Sequence, residues 1–403
     1  MAGKPCNTIE FLISTIEKTF PIPGRFRSKL PKDIAALSRL LTSARGERDN
    51  SYLNRPNLLS AYLRYFLPWN VYRLGRLFEL NIKLPGKSGS QSILPELANG
   101  DAITDLGCGP LVLPITLWLA FPRLRKLELE FRCVDKSAAA LEAGYKLFKV
   151  LSAAESDLTA WNIKIIHDSI EKPIRGKAAK LVTALNVFNE ISVRPFNKAE
   201  QNAEKAAALL SRLCADNGSI FVMEPGNPQG GAFISALRAS LLEKAHIPLA
   251  PCTHTAPCPV IPYTRSGKKD KWCHFSFTAK TKAVPAVLHK LSAAAGIPKE
   301  RAVFSFLITR PDYENNSNFT CKQNNTSSIL PVRIISDTFP IPPGRQKADT
   351  GCYACSENGL VLIAGSKIQL NGISFGTLLG LPFPKQLDKQ MDSKSRALVV
   401  YIE

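Results

Sequence analysis

The chain has 403 residues, of which 45% are hydrophobic and 21% are charged. This balance is typical of a soluble globular protein with two or three domains, and it excludes a largely disordered chain. Lysine and arginine number 52 against 33 acidic residues, so the formal net charge is +19. Such an excess indicates an anionic partner, with nucleic acid favoured over a membrane surface.

The N-terminus carries Glu10 and Glu17 and lacks an apolar core followed by small residues, so neither a secretory signal nor a mitochondrial transit peptide is expected. The most apolar run, Leu111 to Phe121, is too short to span a bilayer and contains Pro114. The expected protein is cytoplasmic, with the mitochondrial matrix as the alternative, does not bind membranes and is a monomer. In a reducing compartment its ten cysteines are better suited to metal binding than to disulfides.

Residues 1–95 form a basic region with helical periodicity. Apolar and aromatic residues recur there at the spacing of one helix face. We expect the rings to pack against the following domain, although they could also stack on RNA bases, and we expect the neighbouring arginines to face outward and bind RNA. The aromatic residues are Tyr62, Tyr65, Phe66, Trp69 and Tyr72, and the arginines are Arg64, Arg73 and Arg76.

A strand–turn–helix–strand pattern begins at residue 101. The apolar strand Asp101 to Leu106 runs into Gly107-Cys108-Gly109-Pro110, a helix follows, and a second strand, Leu127 to Val134, ends at Asp135. Glycines let the backbone approach a ligand, and an acid after the second strand accepts hydrogen bonds from ribose hydroxyls. The pattern therefore predicts a cofactor that contains a nucleoside.

The identity of that cofactor is narrowed by the residues after the turn. Val112 stands where the dinucleotide fingerprint has its third glycine, which disfavours NAD. The Asp-Leu-Gly-x-Gly form resembles the first motif of class I methyltransferases, which bind S-adenosyl-L-methionine, although Leu111 replaces a further glycine that this motif usually has. The resemblance implies a cofactor site formed by Asp105, Gly107, Gly109, Asp135, Asp168 and Asn186.

Strands and helices continue to alternate to about residue 312, which predicts an α/β fold, a class I methyltransferase domain at 96–312 with a Rossmann-like, seven-stranded sheet. The third to seventh strands are expected at Asn162–Ile166, Ala179–Leu185, Ser219–Met223, Trp272–Lys280 and Ala302–Arg310. Residues 313–328, rich in Asn and Ser, are interpreted as a linker, and residues 329–403 as a small β-rich domain. Its strands are expected at Val332–Ile335, Leu360–Ile363 and Leu398–Ile402.

The segment after the fourth strand lies where methyltransferases place substrate-facing residues, here Asn186, Asn189 and Glu190. It lacks the Pro-Pro-aromatic sequence found in methyltransferases that act on the amino groups of bases, and no cysteine stands in a recognisable nucleophile motif. Because methyl transfer requires mainly in-line placement of the acceptor, activity is not excluded. No catalytic residue is assigned.

The most unusual segment is Pro251 to Phe275, where Cys252, Cys258 and Cys273 stand among prolines and polar residues. Proline interrupts helices and strands, so these thiols are better explained by a metal or cluster than by a hydrophobic core. We interpret the segment as a loop, residues 250–275, inserted in the domain; a surface loop with incidental cysteines is the alternative. A Cys-x-x-Cys pair ending at Cys355 would suit zinc, and the spacings leave zinc and iron–sulfur open.

The motifs Glu224-Pro-Gly, Cys252-x-His, Cys258-Pro and Trp272-Cys-His-Phe, in that order, resemble one family over about residues 55–365. It comprises the methyltransferase-like proteins of small-ribosomal-subunit assembly. The resemblance implies association with the small ribosomal subunit and its rRNA, and a [4Fe–4S] cluster in preference to zinc. The implied ligands are Cys252, Cys258, Cys273 and Cys355, with Cys352 competing for the fourth place and Cys321 a more distant candidate.

Two functions follow from these observations. The first is an S-adenosylmethionine-dependent methyltransferase that acts on small-subunit rRNA or a ribosomal protein, and the retained Asp105, Gly107, Gly109 and Asp135 favour it. The second is a non-catalytic assembly factor that keeps the fold to bind rRNA. Leu111 and the net charge of +19 favour this second function.

Overall fold

The structure, a computed structural model, describes the chain in thirteen segments, and the expected linker at 313–328 lies outside them. The described residues are 5–44, 52–79, 81–83, 90–92, 94–153, 161–191, 199–260, 272–279, 284–312, 329–342, 348–373, 375–382 and 391–402. No helix among them is long and apolar enough to cross a bilayer.

The N-terminal region is a layer of helices followed by a small hairpin. Its α-helices are α1 (Pro5–Thr19), α2 (Gly24–Arg27), α3 (Leu30–Leu41), α4 (Pro56–Ala61) and α5 (Leu67–Phe78), and the hairpin strands are β1 (Asn81–Lys83) and β2 (Ser90–Ser92). A π-helical turn, Tyr62–Phe66, joins α4 to α5 into one continuous rod. Such turns widen a helix locally and are frequent at functional sites.

The aromatic rings of this layer are packed, as the sequence predicted. Tyr65, Trp69 and Tyr72 are buried and pack edge to face. The expectation that the arginines face outward is wrong for Arg64, which is only 4% exposed and donates to Glu17 over 2.9 Å. The guanidinium forms an ion pair with a carboxylate of the same helical layer, because a buried charge requires a partner.

The central domain is one sheet with helices on both faces. Its strands are β3 (Ala102–Leu106), β4 (Glu130–Asp135), β5 (Asn162–His167), β6 (Ala179–Leu185), β7 (Cys214–Pro225), β8 (His246–Ala250), β9 (Phe275–Thr278) and β10 (Arg301–Pro311). Its helices are α6 (Val112–Ala120), α7 (Ala138–Ala153), α8 (Phe188–Ile191), α9 (Ala199–Leu213), α10 (Pro228–Glu243) and α11 (Ala286–Ala294). Short 3₁₀ helices lie at Tyr52–Asn54 and Pro122–Lys126.

The strand order is β5-β4-β3-β6-β7-β10-β8. Strands β3 to β7 are parallel, whereas β10 runs antiparallel to both of its neighbours, β7 and β8. This order, with one reversed strand next to the edge, is the arrangement of class I methyltransferases, so the expected fold class is confirmed. One hydrophobic core lies beneath the N-terminal helices, α6 and α7, and a second lies beneath α9 and α10 on the other face.

The strand expected at Trp272–Lys280 is present, but its place as the sixth of seven strands is wrong, because the sheet of the described residues has eight strands. The sixth position is taken by β8, whose Pro248 argues against a strand in the sequence but is tolerated at a sheet edge, where its missing N–H is not needed. The strand expected at Trp272–Lys280 is β9, which pairs with Arg301–Phe304 at the start of β10, whereas β8 pairs with Ile308–Pro311 at its end. The cysteine loop therefore leaves the sheet between two short strands that share one edge of β10.

The C-terminal region is a second sheet, and it contains the strands expected near 332, 360 and 398. Its strands are β11 (Ile329–Ile334), β12 (Phe339–Pro340), β13 (Thr350–Ser356), β14 (Gly359–Gly365), β15 (Leu378–Pro382) and β16 (Leu398–Tyr401), in the order β15-β11-β13-β14-β16, with β12 on β13. This sheet has its own apolar core. A bidentate ion pair joins it to the central domain. Arg301 of β10 donates two hydrogen bonds, of 2.6 and 2.7 Å, to the carboxylate of Asp337 in the C-terminal region.

Candidate functional site

A cavity of about 560 Å³ lies at the carboxyl ends of the parallel strands, where α/β sheets bind their ligands. On the sheet side it is lined by the turns after β3, β4, β6 and β7. On the other side it is lined by the N-terminal layer, including Tyr62, Trp69 and Arg73. The N-terminal helices thus form one wall of the cavity.

The glycine turn after β3 requires both of its glycines. Gly107 and Gly109 have φ values of 61° and 52°, in the left-handed region. A Cβ atom on Gly107 would lie 2.5 Å from Cγ2 of Val187, and one on Gly109 would lie 3.7 Å from the hydroxyl of Tyr62. The bare backbone of this turn lines the cavity.

Leu111, which replaces the further glycine of the methyltransferase motif, also has a left-handed conformation, with φ of 58°. The conformation costs a non-glycine residue about 1–2 kcal/mol. Its side chain is fully buried in the core and does not line the cavity. The departure at Leu111 therefore strains the backbone but takes no space from a cofactor.

Asp135, at the end of β4, holds the glycine turn and lines the cavity. Its Oδ2 accepts a hydrogen bond from the backbone N–H of Gly109, and its Oδ1 accepts one from Ser137, both over 2.8 Å. Burial raises the pKa of this carboxyl, and the hydrogen bonds oppose the shift. A carboxylate oxygen has more than one lone pair, so each can still accept from a ribose hydroxyl.

Asp105 and Asp168 do not line the cavity. Asp105 is fully buried below the glycine turn, where its Oδ1 accepts from the hydroxyl of Thr183 over 2.6 Å. Its Oδ2 is among the buried polar atoms of the described residues that have no hydrogen-bond partner. Asp168 is 38% exposed and pairs with Lys172 over 3.1 Å, although Ser169, next to it, lines the cavity.

Burial raises the pKa of Asp105 to about 7, so folded protein keeps a proton that unfolded chains lose near pH ~4. The stability from this group is complete below the unfolded pKa and is lost as pH rises to about 7. Asp105→Asn retains the acceptor for Thr183. We expect its free energy of unfolding to rise relative to that of the wild type by about 2–3 kcal/mol as the pH is raised from about 5 to about 8. Urea unfolding at the two pH values measures this.

Asp168→Asn is the matched control for that measurement. A backbone hydrogen bond from Ser169 and the ion pair with Lys172 lower the pKa of Asp168, so its titration lies below this pH range. Its stability relative to the wild type should not change between the two pH values. An equal change in both variants would contradict the burial argument for Asp105.

The segment after β6 is held by a residue for which the sequence assigned no role. Glu224, fully buried at the end of β7, accepts from the N–H groups of Phe188 and Asn189, at 2.9 and 3.1 Å, and from the Asn189 side chain at 2.7 Å. Asn186 has φ of 60°, and both it and Asn189 line the cavity. The sequence feature that could have identified Glu224 is an acidic residue at the end of an apolar strand. The side chain of Glu190 lies outside the described residues.

The cysteine loop forms a second site at the junction with the C-terminal sheet. The thiols of Cys252, Cys258 and Cys355 each raise the pKa of Cys273, after the larger effect of burial. Cys355 reaches this group from β13, and Nε2 of His254 lies 3.3 Å from its sulfur. The structure thus brings together the four cysteines that the resemblance implied.

Two arginines face these thiols. Arg238, 3% exposed, donates to the carbonyl oxygens of His254 and Ala256 at 2.6 and 2.8 Å. Arg333, 7% exposed, donates from Nε to the carbonyl of Pro251 over 2.9 Å. No carboxylate in the described parts of the chain forms an ion pair with either guanidinium. Both guanidiniums lower the pKa of the Cys252 thiol, in opposition to the burial that raises it.

The other candidates for the fourth ligand are Cys352 and Cys321. Cys352 is fully buried in the core of the C-terminal sheet, where burial alone raises its pKa to about 11. Cys321 lies outside the described residues. Within the segments that the structure describes, no three histidine, cysteine or acidic side chains are arranged as ligands of a metal ion.

Comparison with known proteins gives one family match. A family model described as mitochondrial small ribosomal subunit Rsm22 matches residues 105–340, which is more than half of the chain. None of the curated proteins compared with the chain matches it significantly.

Solved structures similar to this chain are methyltransferases, at low similarity. An S-adenosylmethionine-dependent enzyme from Geobacter sulfurreducens, in complex with S-adenosyl-L-homocysteine, is 11% identical, with a TM-score of 0.33 over 69% of this chain and 98% of its own. One from Thiobacillus denitrificans, with the same ligand, is 11% identical, with a TM-score of 0.32 over 61% and 92%. Geranyl diphosphate methyltransferase, in complex with GPP and sinefungin, is 13% identical, with a TM-score of 0.34 over 70% and 98%. The fold assignment rests on the strand order.

Proposed function

This chain belongs to the family of mitochondrial small ribosomal subunit Rsm22 proteins, and on that premise we propose that it is an S-adenosylmethionine-dependent methyltransferase that acts on small-subunit rRNA and carries a [4Fe–4S] cluster. The observation that carries the proposal is the cavity over the glycine turn, with Asp135 at one end and the loop after β6 further along the sheet. A turn without side chains and an acid after the second strand suit an adenosine, and the open volume suits the remainder of the cofactor.

Asp135→Asn is expected to weaken S-adenosylmethionine binding by about tenfold to a hundredfold, because it removes a charged acceptor and presents an amide N–H₂ to a backbone donor. Asp168→Asn, outside the cavity, is expected to have a smaller effect. Titration calorimetry with S-adenosylhomocysteine measures both. If the wild-type protein binds neither compound, the cofactor proposal is wrong.

Contact with rRNA is supported by the net charge of +19 and by the exposed helix α2. Phe26, 45% exposed there, lies between Arg25 and Arg27, and the Arg25 guanidinium carbon is 4.9 Å from the ring centroid. An exposed ring beside arginines can stack on a base while Arg25 binds a phosphate; Arg27 also donates to Glu17, over 2.8 Å.

Binding to small-subunit rRNA fragments should weaken steeply with salt, because each neutralised phosphate adds about 0.9 to the logarithmic slope for a duplex and about 0.7 for a single strand. Phe26→Ala should weaken the binding, whereas Ile368→Ala, at an 87% exposed position in the turn after β14, should not. Fluorescence anisotropy across a salt series measures both. A flat salt dependence would show that the charge serves another purpose.

A cluster at the cysteine site is supported by the two buried arginines. A guanidinium buried without an anion is costly, and four protonated thiols supply none. Four thiolates around a [4Fe–4S] cluster carry a net negative charge, which Arg238 and Arg333 would balance. Zinc on the same thiolates would be balanced equally. Anaerobic purification with iron, sulfide and zinc analysis decides between them, and stoichiometric zinc without sulfide would exclude the cluster.

The second candidate function is a non-catalytic rRNA-binding assembly factor. It is favoured because the loop after β6 offers Asn186 and Asn189 but no Pro-Pro-aromatic sequence. Mapping rRNA methylation in cells with and without the protein separates the two, since unchanged methylation despite tight rRNA binding leaves only the assembly factor. The family description favours the mitochondrial matrix over the cytoplasm as the location.

A further inference from the structure

Besides Lys136, which follows Asp135 directly, two basic side chains line the cavity. Arg73, from α5, and Lys299, from the turn before β10, both line it. The Lys299 ammonium lies 5.2 Å from the ring centroid of Tyr65 and 5.1 Å from that of Trp69, so two aromatic faces border it. The Nε of Arg73 is buried without a hydrogen-bond partner. Among the described residues, no carboxylate forms an ion pair with either cation.

The two charges are held in an unfavourable setting. Burial, followed by the repulsion from Arg73, lowers the pKa of Lys299 to about 7. Burial also lowers the pKa of Arg73 to about 10. Cations that are desolvated near each other favour an anion between them, because the anion restores the interactions that water has lost. A guanidinium and an ammonium that line one cavity suit an oxyanion, whereas the aromatic faces of Tyr65 and Trp69 hold the ammonium in place.

The cavity is polarised along the sheet. Its acids, Asp135 and Glu171, lie at the end of β4 and after β5, together with Lys136. Lys299 precedes β10, on the other side of β3, β6 and β7. At the usual strand spacing, β4 and β10 are roughly 19 Å apart. The adenosine of the proposed cofactor belongs at the acidic end. The basic end lies beyond the loop with Asn186 and Asn189, where a methyl acceptor would enter.

We propose that Arg73 and Lys299 form an oxyanion site at the acceptor end of the cavity, which holds a phosphate of the RNA substrate beside the nucleotide that enters it. This assignment rests on the proposed cofactor and RNA binding and names the group by which the substrate is positioned. The carboxylate of the cofactor has the same oxyanion chemistry, so the experiment separates the two sources.

The probe is sulfate, which keeps its charge across the pH range used, titrated by calorimetry into the full-length protein at constant ionic strength. Arg73→Met and Lys299→Met are each expected to weaken sulfate binding by about tenfold or more, since each removes one charge-assisted contact. Lys290→Met, which removes an exposed lysine of α11 outside the cavity, is expected to bind sulfate like the wild type. Unchanged binding in both cavity variants would overturn the proposal.

Binding of the cofactor distinguishes the two sources. S-adenosylhomocysteine has a carboxylate, and 5′-methylthioadenosine has none. If the variants lose affinity for the first compound but not the second, the site holds the cofactor, and the assignment to substrate is overturned. Unchanged affinity for both compounds supports it. If wild-type protein binds sulfate but neither nucleoside, the oxyanion site stands and the proposed cofactor binding fails.

Lys299→Arg tests the site without removing its charge, which covers the case in which the methionine variants fold poorly. Above about pH 7 the wild type should lose sulfate affinity by up to about tenfold per pH unit, because Lys299 must take up a proton to bind. The arginine variant should bind sulfate at constant affinity there. The other ionisable groups around Lys299 are Arg73, Tyr65, whose pKa burial raises, and His289, whose ring packs on Trp69. An identical pH slope in both proteins would overturn the role of Lys299.

Discussion

Cys355→Ser is expected to reduce iron and acid-labile sulfide to background and to release the cysteine loop and the C-terminal sheet together. Cys355 comes from β13, whereas Cys252, Cys258 and Cys273 come from the segment between β8 and β9. A cluster on all four would tie the two sheets. Its loss leaves buried guanidiniums without thiolates, and an unpaired buried charge costs about 3–5 kcal/mol. Metal analysis and limited proteolysis of anaerobically purified protein measure the effect.

Cys352→Ala is the matched control, because Cys352 lies three residues earlier on the same strand. Its thiol lies in the apolar core of the C-terminal sheet, so its loss should cost about 1 kcal/mol and leave the iron content unchanged. Cys273→Ser should behave like Cys355→Ser. Full iron in Cys355→Ser together with none in Cys352→Ala would reverse the assignment of the fourth ligand.

Gly144→Ala is expected to destabilise the protein by about 1–3 kcal/mol and to weaken S-adenosylmethionine binding, although alanine favours helices by about 1 kcal/mol. Gly144 lies in α7, and a Cβ atom there would be 2.4 Å from the backbone carbonyl carbon of Pro110. That backbone cannot rotate aside as a side chain would. Because Pro110 follows Gly109 directly, the displaced chain would carry the glycine turn with it.

Gly75→Ala is the control for this prediction. Gly75 lies in the interior of α5, and its Cβ would meet only side-chain atoms, Cβ of Ala120 and Cγ2 of Thr116, both at 3.9 Å. The substitution should therefore stabilise the protein by about 0.5–1 kcal/mol. Thermal unfolding and calorimetry compare the two variants. Equal stabilisation in both would show that α7 and the glycine turn have room to separate.

The glycine turn shows which structural features can be predicted from a short stretch of sequence. A positive φ at Gly107 and an acid after the next strand are local requirements, so their residues lie within about one βαβ unit. The alternation of strands and helices is local in the same sense. It was sufficient for the fold class, although Pro248 concealed β8, since the sequence does not reveal whether a strand lies at an edge.

The cysteine site could be predicted only in part from the local sequence. Proline and polar residues around Cys252 and Cys258 indicated a bound group, and the family resemblance pointed to Cys355. No local pattern separates Cys355 from Cys352, because both stand on one strand. The register of β13 against β11 and β14 turns one thiol to the loop and the other into the core.

What the sequence by itself determined is the α/β class, the glycine turn with Asp135, and the family. Only the tertiary structure determined which charged side chains are buried and which partners they contact. Arg64 pairs with Glu17 inside the helical layer, whereas Arg73, about two and a half helical turns later, lines the cavity with Lys299. The physical reason is that a charge is placed by partners from distant segments, and periodicity reports only which face of its own helix is apolar.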